Sequence, residues 1–195
     1  PIAAAIDKAV KNNIAVVAAS GNSGSTGGVN PPACLPNATS VGSVSKNDVF
    51  SSFTDRHGLL DLLAPGLGIT STKLNGGYTS KSGTSMATPH AAGAFALLHQ
   101  ANPDLNPTKL RTILNQTGKL ISDQGTSLEY PRIDVQQAIF ESSQSFNLTF
   151  REGWNLASFP LRSASESLPG PFSPIANLTL RINFFTPGNL SWKTY

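Results

Sequence analysis

Ser85 lies in the run Ser82-Gly83-Thr84-Ser85-Met86-Ala87-Thr88-Pro89-His90-Ala91-Ala92-Gly93, which continues as Ala94-Phe95-Ala96-Leu97-Leu98. A glycine-bearing turn here opens a run of small residues. Pro89 cannot donate a backbone hydrogen bond and so fits near a helix start. The spacing therefore places Ser85 at a helix N-terminus, where free N–H groups and the helix dipole favour developing negative charge. That is a good place for a nucleophile. A serine hydroxyl also needs a histidine base within hydrogen-bond reach and an acid to orient that histidine. Of the three histidines, His90 is five residues on, which along a helix is a rotation of about 140° and a rise of about 7.5 Å. It should point away from Ser85 as a packed helix residue. His57 sits in the polar turn Asp55-Arg56-His57-Gly58, and His99 closes a helix.

A second chemical candidate is Asn22, in Ala18-Ala19-Ser20-Gly21-Asn22-Ser23-Gly24. Its amide can donate to a negative oxygen without changing its own charge, although an asparagine also serves simply as a turn residue. The run from Gly83 to Gly93 resembles the active-serine segment of subtilisin-like serine peptidases. The Asn22 segment is similar to the turn carrying that family's oxyanion-hole asparagine. Proline-marked Pro31-Pro32-Ala33-Cys34-Leu35-Pro36, then Phe50-Ser51-Ser52-Phe53-Thr54 and Leu59-Leu60-Asp61-Leu62-Leu63-Ala64-Pro65-Gly66, continue the likeness, and the pattern runs without a gap over residues 32–85.

The resemblance covers roughly residues 1–142 and implies a serine endopeptidase acting on polypeptides. It implies Ser85 as nucleophile, and Asn22 with the Ser85 N–H as the oxyanion site. A substrate strand would lie along Ala18, Ala19, Ser20 and Gly21, with Met86 on the leaving-group side. That family places its triad in the order Asp, His, Ser. Neither an Asp-Ser/Thr-Gly strand end nor a His-Gly-Thr-His type segment precedes Ser85 here. The expectation is an internal fragment whose acid and base lie upstream. A rival reading is an inactive protein of the same fold that binds protein or carbohydrate through its C-terminal part; retention of both Ser85 and Asn22 argues against it.

Asp61 lies inside an apolar run and needs a partner. The resemblance allows a Ca²⁺ or Na⁺ ion held with the carbonyls of Ala33, Leu35 and Ala38; hydrogen bonding to nearby backbone is the preferred alternative. No cofactor is required by the expected chemistry.

The elements that must position these groups read as α/β. Ile2, Ala5, Ile6, Ala9 and Val10 recur at helical spacing. The apolar run Ile14-Ala15-Val16-Val17-Ala18-Ala19 then suits a strand buried in a parallel sheet. Ligands bind beyond the carboxyl ends of such strands, which is where Asn22 falls. Ile69-Thr70-Ser71-Thr72 reads as a strand and Asn75-Gly76-Gly77 as a turn. Asn106-Pro107 opens a further helix with buried Leu110, Ile113 and Leu114. A last helix is expected over 132–139, ending near Ser142. The expected fold is a doubly wound, mainly parallel sheet of which an N-terminal half is missing, followed by an all-β extension. The expected domains are residues 1–142 and 143–195. The second contains Gly153-Trp154-Asn155-Leu156, which resembles the opening of β modules in tails of secreted and surface proteins, so an extracellular or cell-surface location is expected.

Composition narrows the remaining classes. The 195 residues carry a formal charge of +3 with only 13% charged side chains. No basic stripe suggests nucleic acid. The one cysteine, Cys34, leaves no disulfide within the chain. No apolar run approaches the roughly 18 residues of a membrane span.

Overall fold

The computed structural model describes residues 1–143, together with residues 183–184 and 193–194. The chain divides into two units, Pro1–Asn147 and Leu148–Tyr195. In the first, helix α1 (Ile2–Lys11) leads into strand β1 (Val16–Ala19). Strands β2 (Ala38–Val44) and β3 (Leu62–Pro65) follow, then the hairpin β4 (Ile69–Thr72) and β5 (Tyr78–Lys81). Helices α2 (Thr84–Ala101) and α3 (Pro107–Thr117), strands β6 (Lys119–Ser122) and β7 (Glu129–Arg132), and helix α4 (Val135–Ser143) complete the unit.

The main sheet has the order β1-β2-β3-β7-β6. Val16 to Ala19 pair in parallel with Ala38 to Val41, and Val41 to Val44 with Leu62 to Pro65. β7 joins β3 in parallel at Leu63–Arg132, while β6 runs antiparallel to β7. This is a mixed α/β fold with a mainly parallel sheet. All seven residues of β2 are buried, as expected for a strand covered on both faces.

Alternation along the strands sends Val41, Leu62 and Ala64 to one face and Val44 and Leu63 to the other. On the first face they pack with Ala87, Ala91, Ala94, Phe95 and Leu98 of α2, Leu110 and Leu114 of α3, and Ala138 of α4. Alanines every three or four residues let α2 lie close against the sheet. Loop residues Val29, Ala33, Cys34, Phe50 and Leu60 cover the second face.

The cap of α3 is as the sequence suggests: Asn106 Oδ1 accepts from Lys109 N at 2.9 Å, with Pro107 first in the helix. Two expectations are corrected. The last helix begins at Val135, not Arg132, because Asp134 caps it by accepting from Gln137 N at 3.0 Å, and Arg132 belongs to β7. The pair β6–β7 has no counterpart in the sequence reading. Pro89 is the sixth residue of α2, beyond its first turn; its exposed ring is accommodated there, and the regular helical bond it cannot make is the one to the Ser85 carbonyl. In the second unit Asn183–Phe184 pairs antiparallel with Lys193–Thr194. The Gly153-Trp154-Asn155-Leu156 segment lies outside the described residues.

Candidate active site

Ser85 is the second residue of α2 and is exposed. Its helix opens from Gly83, whose φ of 152° and ψ of 161° suit glycine alone. Gly83 N–H donates to Gly66 O at 2.8 Å, tying the turn to the end of β3. The helix N-terminus is thereby fixed on the sheet.

Asn22 reaches the same turn from the loop after β1. Its Oδ1 accepts from Thr84 N at 2.9 Å and from Thr84 Oγ1 at 3.0 Å. A backbone N–H can only donate, so the amide oxygen must face Thr84 and the Nδ2 donors are turned elsewhere. A Cβ on Gly83 would lie 3.6 Å from both amide atoms of Asn22 and 3.7 Å from Met86 Sδ. The amide and the thioether therefore flank the glycine that precedes Thr84 and Ser85. The structure brings together Ser85, Asn22 and Met86 around one helix start.

Ser85 and half-buried Met86 line a cavity of about 840 Å³ with Pro89 and His90. Its other wall is the β4–β5 hairpin, through Thr70, Thr72, Lys73, Leu74 and Lys81. Strand β4 and the turn after it were legible, but β5 and the hairpin's place beside Ser85 were not, because two-residue periodicity says nothing about where a hairpin folds. Thr84 was also passed over. The signal was present: a hydroxyl and a backbone N–H on the same residue, one position before the serine.

Ala18, Ala19, Ser20 and Gly21 do not line this cavity. Ala18 and Ser20 are buried, and Ser20 N–H donates to Val41 O. Ser20 Oγ is buried without a hydrogen-bond partner. Among the described residues β1 is the edge strand of the main sheet.

His90 is corrected from a packed to an exposed residue. It faces the cavity and its Nδ1 lies 2.8 Å from Met86 O. Among the described residues no histidine hydrogen-bonds Ser85. His57 is exposed in its turn, and His99 Nδ1 is buried without a partner.

Asp61 is occupied by backbone and hydroxyl donors. Its Oδ2 accepts from Ser40 N at 2.8 Å and Ser40 Oγ at 2.9 Å. Leu35 O accepts from Ala38 N, and Ala38 O accepts from Arg111 Nη1 at 3.3 Å. Asp61 is thus bonded to nearby backbone. Among the described residues no three His, Cys, Asp or Glu side chains converge on a point that could hold a metal. No described helix is long and apolar enough to cross a membrane.

The family model described as the subtilase family, Peptidase S8, matches residues 1–154. The chain is 43% identical over 113 residues to Subtilisin Savinase of Lederbergia lenta, covering 58% of this chain and 42% of that protein. It is 41% identical over 138 residues to Subtilisin E of Bacillus subtilis, covering 68% and 35%. Among solved structures, a cold adapted subtilisin-like serine proteinase aligns at 36% identity with a TM-score of 0.58, over 65% of this chain and 48% of that one. A protease from Pseudoalteromonas arctica aligns at 27% with a TM-score of 0.65, over 72% and 46%. The chain thus spans well under half the length of these curated relatives.

Proposed function

The chain belongs to the subtilase family, and on that footing we propose that Ser85 is the nucleophile of a serine endopeptidase acting on polypeptides. Ser85 Oγ attacks the scissile carbonyl carbon, its proton passes to a histidine base, and the carbonyl oxygen becomes an oxyanion. Asn22 Nδ2 and the Ser85 N–H donate to that oxygen. Return of the proton to the leaving amine breaks the C–N bond and leaves the acyl group on Ser85, from which water releases it. Met86 lines the leaving-group side, and Ala18 to Gly21 line part of the cleft that holds the extended substrate. By the family's chain order Asp, His, Ser, the base and its acid lie upstream of Ser85, in motifs that residues 1–84 do not contain. Residues 143–195 are an accessory region of an exported protein. No metal takes part in these steps.

The observation that carries the reading is the fixed orientation of the Asn22 amide, oxygen on Thr84 and donors free. Asn22→Ala in the full-length enzyme is expected to lower kcat by about 10²–10³-fold with KM nearly unchanged. That magnitude is the one measured for an oxyanion donor of subtilisin itself and comes here by family likeness. A variant with near-normal kcat would remove Asn22 from the oxyanion site.

A further inference from the structure

The polar turn holding Asp55 has a role that its composition does not announce. Asp55 is 1% exposed, deep for a carboxylate, and forms no ion pair among the described residues. Its partners are instead the loop that carries Asn22. Oδ1 accepts from Ser23 N and from Ser25 N, each at 2.8 Å. Oδ2 accepts from Asn30 Nδ2 at 3.0 Å. Asp55 N–H donates to Gly21 O at 3.1 Å.

Asn22 is thus bracketed. The residue before it is held through its carbonyl and the residue after it through its N–H, both by Asp55. The neighbouring backbone adds two more ties, Gly24 N–H to Phe53 O at 2.8 Å and Arg56 N–H to Ser25 O at 2.8 Å. The fit is close enough to require glycine at position 21: its φ is 119°, and a Cβ there would run into the Asp55 carboxylate and the Asn30 amide.

We infer that Asp55 is a positioning residue for the oxyanion site, its buried carboxylate holding the loop so that the Asn22 amide oxygen stays on Thr84, one residue before Ser85. The inference rests on the oxyanion role of Asn22 proposed above. Asp55 touches no reacting atom. Its effect is on kcat, because a donor displaced by a fraction of an ångström loses mainly what it gives to the transition state.

The test is a double-mutant cycle in the full-length enzyme, with active sites counted by titration so that losses of folded protein do not enter. Asp55→Ala is expected to lower kcat about tenfold or more with KM within about twofold. Asp55→Asn keeps an oxygen for the Ser23 and Ser25 amides and is expected to recover most of that loss. In the Asn22→Ala background, Asp55→Ala should cost little further, since it acts through the group already removed. Unchanged kcat per active site in Asp55→Ala, or losses that multiply in the double variant, would overturn the inference. An impaired Asn22→Ala beside a silent Asp55→Ala sinks the role of Asp55 alone, whereas a silent Asn22→Ala sinks the oxyanion reading and the inference with it. Should Asp55→Ala fail to fold, Asp55→Glu replaces it: a carboxylate displaced by one methylene lowers kcat at constant KM if position matters, and leaves kcat unchanged if it does not.

Discussion

At the scale of single residues, the chemistry depends on two side chains whose neighbours leave them little freedom. Thr84 satisfies the Asn22 amide oxygen twice, and Gly83 lets Asn22 and Met86 approach the same turn. Oxidation of Met86 would place a bulky polar sulfoxide beside Ser85. Peroxide should therefore lower turnover of the full-length enzyme, and Met86→Ala should resist that loss; equal sensitivity of the two would place the methionine away from the reaction. Gly21→Ala tests the other side of the site. The new methyl must displace either Asp55 or Asn30, so activity should fall with the loop's order. A Gly21→Ala enzyme with unchanged kcat and thermal midpoint would contradict the close approach at that position.

At the scale of elements, legibility followed physical cause. β1 and the α3 cap were readable because a continuous apolar run and an Asn-Pro start each leave a local signature in the sequence. β7 was not, since Glu129-Tyr130-Pro131-Arg132 mixes charge and proline within four residues. Long-range ties hold it instead: Arg132 Nε donates to Asp48 at 2.9 Å, and Lys119 of β6 meets the same carboxylate at 2.8 Å. Asp55 was hidden for a similar reason, because a charged turn reads as solvated until the loop that buries it is seen. The tip of β6–β7 is held to the turn after Asp55 by Arg56 and Asp123, 2.7 Å apart and largely buried. Arg56→Ala leaves that carboxylate without its cation, and a loss of about 3–5 kcal/mol in unfolding free energy is expected. A change below 1 kcal/mol would show the pair to be incidental. The exposed Asp48–Lys119 pair should contribute less, about 0.2–1 kcal/mol.

For the whole molecule, the same two carboxylates set the acid limit of stability. The Lys119 hydrogen bond, opposed by burial and aided by Arg132, lowers the Asp48 pKa. Burial pushes Asp123 up, but hydrogen bonds from Thr126, the Gly125 N–H and Arg56 together hold it below its ordinary value. Depressed folded values mean that this stability is present above the unfolded value of about 3.9 and is lost as pH falls through the folded ones. Thermal midpoints should be flat above about pH 5 and fall below about pH 4. Asp123→Asn should flatten that acid limb; an unchanged limb would assign it to other groups. Among the described residues β1 is the edge strand of the main sheet, with Ile14 just before it exposed and Leu97 of α2 exposed as well. Such an edge invites association, so the isolated chain should sediment as oligomers and Ile14→Lys with Leu97→Lys should shift it toward monomer; a wild-type monomer would contradict this. The central claim is that Ser85 is a nucleophile whose base lies outside these residues. Labelling with a fluorophosphonate probe tests it most directly. The full-length enzyme should be modified at Ser85 in stoichiometric amount, and the isolated 195 residues should not be. Stoichiometric labelling of Ser85 in the isolated chain would contradict the account, since a base within it, His90 further along α2 or His57 from its turn, would then be activating the serine.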